Sequence, residues 1–422
     1  MKPHLFMLRK KGFIFQKNRT GVAVVVLVLF AFGIVPAAPG RSTGETLRAA
    51  STLQTAAQTT AQPSNDPAND KDLIKVIAVG DVMLGSSFPD DSGLPPNDGA
   101  DLLRDVTPLL QQGDIVFGNL EGPLVDGGKT KKCGKKIGTC YAFRVPTRYG
   151  GYLKSAGFTV MGLANNHALD FGLAGRASSR AVLDSLGILH SGEIDDVARL
   201  TTKGKRVALI AFATYPGTYN LLDLDDAIAT VRQAKTEADI VIVSFHGGAE
   251  GSTHQHVLLG DETFLGEDRG DLRRFAHAMI DAGAQLVLGS GPHVVRGMEV
   301  YCGKLIAYSL GNFATYGSFN LNGENGVSLI LEANLGADGS FQGGAVYPIR
   351  QERPGGPHLD ANMSILPILR DLSQTDFPFT NVEVSENGRL NARPWNYLDL
   401  VFPAAACGVF EYIPCPEEPV CN

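Results

Sequence analysis

"LANNHALDFG", residues 163–172, closes an apolar run that begins at Phe158. Asn165, Asn166, His167 and Asp170 fall where a buried strand would stop. Taken alone, they also make an ordinary polar turn with a helix N-cap. The choice between turn and site depends on how the other strands end.

Short apolar runs of strand type recur along the chain: "LIKVIAVGD", "DIVFGNLE", "FTVMGLANNH", "GILHSG", "RVALIAFAT", "DIVIVSFHGG", "QLVLGSGPH", "KLIAYSLGNF" and "GVSLILEANL". Between them, "GADLLRDVTPLLQQG", "TRYGGYLKSAG", "GLAGRASSRAVLDSLG" and "RGDLRRFAHAMIDAG" read as helices, each closed by a glycine suited to a left-handed cap. The alternation predicts an α/β fold, and no repeat of fixed period is present. In such folds functional groups gather outside the carboxyl ends of the strands. Asp81 ends the first run, Glu121 the second, Asn165, Asn166 and His167 the third, His246 a later one and His293 the next.

Aspartate, glutamate, asparagine and two histidines form the mixed oxygen and imidazole shell of a Mn, Fe or Zn site, rather than an all-oxygen Ca or Mg cage. Carboxylates can bridge two ions, so one or two divalent metals are expected. Such a centre supplies hydroxide at neutral pH and polarises a phosphoryl or acyl oxygen, which makes hydrolysis the natural chemistry. In this reading one of the two asparagines faces the metal, the adjacent His167 is the general acid, and Asp170 orients His167 or caps the next helix. No GxxxxGK[ST] loop and no GxSxG elbow occurs, which argues against a P-loop nucleotide site and a serine hydrolase.

The chain of 422 residues opens with six basic residues and no acid in its first twenty positions. "GVAVVVLVLFAFGIVPAA" follows without a charge. That order predicts export, with residues 1–38 as a signal peptide or a membrane anchor. Residues 39–72, rich in Thr, Ala, Ser, Gln and Asn, read as a low-complexity linker. Residues 73–350 form the main domain and 351–422 a C-terminal extension packed on it. The expected location is extracytoplasmic, either secreted or membrane-anchored.

A formal net charge of −7, more negative still without the basic leader, argues against nucleic acid as partner. Six cysteines fit an oxidising compartment. Cys133 and Cys140 frame a lysine-rich loop, where a bridge between them is expected. "KCGKKIGTC" lacks the spacing of a zinc knuckle.

Six motifs, "AVGDVMLG", "DIVFGNLEGPL", "GLANNHALDFG", "SFHGGAEG", "LVLGSGPHVVRGMEV" and "IAYSLGNF", resemble in order and spacing the signature of CapA-type capsule-synthesis proteins. That family is linked to poly-γ-glutamate biosynthesis and placed in the calcineurin-like metallophosphatase superfamily. The resemblance runs from about Ile74 to Leu335. It implies a sandwich of two mixed β-sheets flanked by α-helices. It also implies metal ligation by Asp81, Glu121, Asn166, His246 and His293, with His167 as general acid and Glu250 beside the ligands. Met83 stands where phosphoesterases of this superfamily carry a histidine, and Ser290 and Gly291 stand where another histidine is common.

Several other residues could serve the site. Arg144 and Arg296 could neutralise an anionic substrate, or form surface ion pairs. Asn312 could reach the substrate, or only close a turn. His254 and His256 have ligand-like spacing but suit a solvated loop, and His190 and His277 read as structural.

Two functions are open at this point. One is an exported metal-dependent hydrolase acting on a phosphoester or an anionic envelope polymer. The other is a non-catalytic capsule-assembly component that binds or hands over polymer with a reduced metal site. Capsule-synthesis membrane proteins are candidate partners of either.

Overall fold

The computed structural model describes residues 72–133 and 141–392. The leader, nearly all of the linker, Cys140 and the cysteines of the tail lie outside the described residues, as do the readings made of them. Cys133 and Cys302 are each disulfide-bonded.

Strands β1 (Ile74–Met83), β2 (Ile115–Leu120), β3 (Val160–Gly162) and β4 (Leu189–Ser191) come first, with helices α1 (Thr107–Leu110), α2 (Gly150–Ala156) and α3 (Gly172–Leu186) between them. Next come β5 (Ala198–Thr202), β6 (Lys205–Ala213), β7 (Tyr219–Asn220), α4 (Leu224–Glu237) and β8 (Ile240–His246). A hairpin, β9 (Glu262–Phe264) and β10 (Glu267–Gly270), precedes α5 (Leu272–Ala282). The series β11 (Leu286–Ser290), β12 (Met298–Tyr301), β13 (Lys304–Ala307), β14 (Asn312–Thr315), β15 (Val327–Leu335) and β16 (Phe341–Arg350) then completes both sheets. Last are β17 (His358–Leu359), α6 (Ile365–Asp376), β18 (Val382–Val384) and β19 (Arg389–Ala392).

Ten strands make the first sheet, in the order β18-β19-β16-β15-β1-β2-β3-β4, with β14 on β1 and β17 on β16. Seven make the second, β12-β13-β11-β8-β6-β5, with β7 on β6. Both are mixed. β1 runs parallel to β2 and antiparallel to β15, while β8 runs parallel to β6 and β11, and β5 is antiparallel to β6.

Side-chain alternation stacks the layers. From β1, Val76 and Ala78 enter the core between the sheets, where they join Leu209, Ile242 and Leu288 of the second sheet. Ile77 and Val79 point the other way, into a layer with Leu153 of α2 and Leu183 of α3. The second sheet repeats the arrangement, with Ile210, Val241 and Val243 packed beneath Val231 of α4 and Phe275 of α5. Helices therefore cover the outer face of each sheet, and the two inner faces bury one another. Strands buried on both faces need apolar residues at every position, which explains the unbroken runs "VIAV" and "IVIV". This is the two-sheet, helix-flanked α/β sandwich that the motif resemblance implies.

The helix expected over "GADLLRDVTPLLQQG" is a correction: only Thr107–Leu110 is α-helical. Pro108 lacks an amide donor and tolerates only the first turn, so a helix can start there but cannot pass through. Strand β16 escaped the sequence reading because Gly343, Gly344 and Pro348 disguise it. Gly344 is required there, since a Cβ would lie 1.9 Å from the Glu332 carbonyl oxygen. Beyond residue 351, β19 pairs with β16 and β18 with β19, and α6 places Ile365, Leu366 and Leu369 in the core between the sheets.

Gly80 is the tightest close approach near the strand ends: a Cβ there would lie 1.8 Å from the Gly311 carbonyl oxygen. Gly80→Ala should therefore force β1 and β14 apart and cost about 3 kcal/mol, read as a lowered unfolding midpoint in denaturant. His190, on β4, bonds Asp196 at 2.9 Å and Asp184 at 3.2 Å. Burial alone would lower its pKa, but the two carboxylates outweigh burial and hold it above the ordinary 6.5. A raised imidazole stabilises the fold fully below its unfolded pKa and loses that contribution as pH climbs through the folded value. His190→Gln should thus flatten the decline of stability above about pH 6.5, measured by urea titrations across pH.

Candidate metal centre

The carboxyl ends of the parallel strands in both sheets converge on one point. Asp81, at a bulge in β1, is paired with Asn119 of β2 on one side and Asn312 of β14 on the other. Glu121 follows the last residue of β2. His246 ends β8 opposite Ser290 of β11. Ligand atoms of Asp81, Glu121 and His246 all lie within 4.8 Å of one another, and all three residues are buried.

Two buried carboxylates so close require compensation. Asn119 supplies part of it, since its Nδ2 donates to Asp81 Oδ1 at 2.8 Å and also to Glu121 Oε2. His246 Nε2 stands 3.2 Å from Glu121 Oε1. Burial raises the Glu121 carboxyl, yet the His246 imidazole overrides it and holds the group well below the usual carboxylate range. His293 Nδ1 donates to Asp81 Oδ2 at 2.8 Å. Burial would lower its pKa, but Asp81, with Glu121 and Glu250 behind it, pushes it up to about 9.

Of the ten buried side-chain polar atoms that find no protein partner among the described residues, three belong to residues read as part of the site: His246 Nδ1, Asn166 Oδ1 and Asn312 Oδ1. The Asn312 amide is oriented by Nδ2 donating to the Asn325 carbonyl at 3.2 Å, which leaves its oxygen as the orphan. Unpaired buried acceptors beside two carboxylates are the surroundings a divalent cation satisfies, so the residues fit a metal ion.

Four of the five residues read as ligands thus have defined places. Asp81, Glu121 and His246 form the buried triad, and His293 is bonded to Asp81. Asn166, the fifth, contributes one of the two unpartnered amide oxygens, the other being that of Asn312. Asn165 does not face the cleft. Its Nδ2 donates to Asn119 Oδ1 at 3.0 Å and to the Leu120 carbonyl at 2.8 Å, while its Oδ1 accepts the His167 amide at 3.0 Å. It ties the "NNHALD" turn to β2.

Asp170 resolves the choice between helix cap and histidine partner. Its Oδ2 lies 2.7 Å from His167 Nδ1 and accepts the Phe143 amide at 2.7 Å. A carboxylate partner places the proton on Nδ1, which leaves Nε2 to exchange protons. Lys132, which sequence reasoning placed only in a basic loop, joins this pair. Its Nζ bonds Asp170 Oδ1 at 2.7 Å and the Asn166 carbonyl at 3.0 Å, and lies 3.2 Å from His167 Nδ1. Asn119 was missed as well. Its position two residues before Glu121 was the available signal, hidden because it sits within a strand.

A cleft of about 480 Å³ opens here, lined by Lys132, Asn166, His167, Glu250, His293 and Asn312, with Tyr141, Phe143 and Phe319 as an aromatic wall. Phe143 lies against the His167 ring, with centroids 4.2 Å apart, and His293 meets Phe319 edge-on at 5.1 Å. Glu250 is paired with Arg269 at 3.0 Å.

Arg144 does not line the cleft: its Nε donates to Ser87 Oγ at 3.0 Å and its guanidinium lies over Phe88 and Phe171. Arg296 is neither a surface ion pair nor a substrate contact. It is fully buried, with Nη1 and Nη2 on Glu262 at 2.7 and 2.8 Å. Met83 packs in the layer between the first sheet and its helices. Gly291, at φ +111°, lets the backbone approach His246, since a Cβ would lie 3.3 Å from His246 Cε1. His254 bonds the Glu250 carbonyl and His256 bonds Asp376, so the two do not act as a pair.

A two-sheet α/β protein with a buried carboxylate and imidazole centre at its strand ends defines the class. More closely, the chain belongs to the family of bacterial capsule synthesis protein PGA_cap, whose model matches residues 75–316. It is 30% identical over 260 residues to the PGA biosynthesis protein CapA of Bacillus subtilis, covering 57% of this chain and 63% of that one. To the capsule biosynthesis protein CapA of Bacillus anthracis it is 30% identical over 263 residues, covering 56% and 58%. The chain thus spans about three fifths of the length of these relatives. Among solved structures it is similar to a 5'-nucleotidase precursor from Thermus thermophilus, with 12% identity, a TM-score of 0.39, and coverage of 73% of this chain and 59% of that one.

Arg296→Met should strand the Glu262 carboxylate and cost about 3–5 kcal/mol in chemical denaturation. Adding Glu262→Leu to it should recover most of that loss, as expected of a structural pair.

Proposed function

We propose that this chain is an exported protein of capsule or poly-γ-glutamate biosynthesis whose cleft performs metal-dependent hydrolysis of a phosphoester or an amide-linked anionic polymer. The observation that carries the reading is the buried Asp81, Glu121 and His246 triad flanked by unpartnered acceptors on Asn166, His246 and Asn312. Family membership supports the process, and the donor set supports the chemistry.

Asp81, Glu121 and His246 would hold a divalent ion, Mn, Fe or Zn by donor type, with Asn166 and Asn312 as nearby oxygens. The ion supplies Lewis acidity and positive charge toward a phosphoryl or acyl oxygen. The protein's own groups do the rest. His167, oriented by Asp170, offers Nε2 for proton transfer to the leaving group. Lys132 holds Asp170 in place and adds positive charge at the mouth of the cleft. Phe143 and Phe319 shield one side from water.

A second reading has its own support. His293 bonds Asp81, and Met83, Ser290 and Gly291 contribute no ligand side chain. These features favour a reduced site that binds polymer without cutting it, in concert with capsule-synthesis membrane proteins.

The full chain, purified without a histidine tag, should contain about one or two Mn, Fe or Zn ions by elemental analysis, lost in Asp81→Ala and His246→Ala. His167→Gln should keep the metal while hydrolysis of phosphodiester or γ-glutamyl substrates drops about 10²–10⁴-fold. A parent chain with no stoichiometric metal sinks the hydrolase reading, and metal without turnover on either substrate class favours the second.

A further inference from the structure

A second groove, of about 690 Å³, adjoins the cleft. Its lining combines the basic Lys129, Lys131 and Lys132 with Leu169, Leu173 and Tyr215. Lys132 and Asn166 line both the groove and the cleft, so the two are continuous. We propose that this groove is a track for a linear carboxylate-bearing polymer, which it leads over Lys132 to the candidate metal centre.

The charge balance supports this occupant. Lys132 is paired with Asp170, and Arg176, also in the groove, is paired with Glu193. Lys129 and Lys131 are exposed and, among the described residues, pair with no carboxylate. The groove therefore keeps a positive surplus on a chain whose formal net charge is −7. A polyanion repelled elsewhere on the surface is drawn to such a patch.

The apolar lining narrows the chemistry. Leu169 is 38% and Leu173 70% exposed, so the groove offers apolar carbon as well as positive charge. A unit that alternates carboxylate with methylene suits both kinds of lining, with charge on the lysines and carbon on the leucines. A small phosphoester would be held within the cleft and would have no use for the groove. A polymer needs a path in, and the groove is continuous with the cleft through Lys132 and Asn166.

The inference rests on the reading of the cleft as the place where polymer is handled, but its test does not require metal. Labelled poly-γ-glutamate is titrated against the full chain in EDTA at low salt, and fluorescence anisotropy gives the affinity. The parent is compared with Lys129→Glu/Lys131→Glu and with Arg232→Glu/Arg389→Glu, an equal charge reversal at exposed positions outside the groove. The groove variant should bind at least about tenfold more weakly, with the difference shrinking in high salt. The control variant should stay near the parent.

No binding by the parent, or equal loss in both variants, overturns the track. So does equal affinity for polyphosphate, which shows a charge effect without the carboxylate and methylene match. Binding to phosphatidylglycerol vesicles without binding to the polymer also overturns it and assigns the patch to a membrane surface. Elemental analysis of the same preparations, taken before EDTA is added, separates the two readings. Groove-dependent binding in a metal-free parent strikes the hydrolase and keeps the track, while full metal content without polymer binding does the reverse.

Discussion

The confinement of Asp81 and Glu121 is the constraint on which the rest of the structure depends. Two carboxylates a few ångströms apart, without solvent, repel by about 4 kcal/mol at an effective dielectric near 20, before any desolvation cost. The fold brings an answer to that repulsion from every nearby element. Asn119 reaches both carboxylates with one amide nitrogen, His246 comes from the second sheet, and His293 comes from the loop after β11. Removing any of these strips a buried carboxylate of one of its two partners, and a divalent cation would satisfy both carboxylates together.

This arrangement requires two sheets whose parallel strands end at the same place. β1 and β2 deliver the carboxylates, and β8 delivers the imidazole across the sandwich. Gly80 and Gly291 let backbones pass where a side chain would push them apart. Around the centre, the turn that holds His167 is tied down by Asn165 to β2, by Asp170 to the Phe143 amide and by Lys132 from a disulfide-bonded loop. Rigid support of this kind fixes the imidazole of His167 in place at little entropic cost.

Much of the fold was legible because strands buried on both faces write themselves as unbroken apolar runs. Asp81, Glu121 and His246 stood out for the same reason, as polar residues where such runs stop. Asn119 stayed hidden because it lies inside a run, where an asparagine reads as an interruption rather than a bridge. Lys132 stayed hidden because its approach to Asp170 spans 38 residues and depends on the path of a loop. Arg296 read as a surface or substrate cation, since nothing near it in sequence reveals that Glu262 waits in the core.

By itself, the sequence determined the α/β class, the central apolar strands along the chain and the identity of the polar residues at their carboxyl ends. These follow from local periodicity and from polar breaks in it. Only the tertiary structure decided which of those residues meet. It joined Asp81 and Glu121 to His246, set His293 on Asp81, gave Asp170 to His167 and turned Arg144 and Arg296 away from the cleft. Contacts between distant strands and loops arise from the packing of one sheet on another, and no local spacing encodes that.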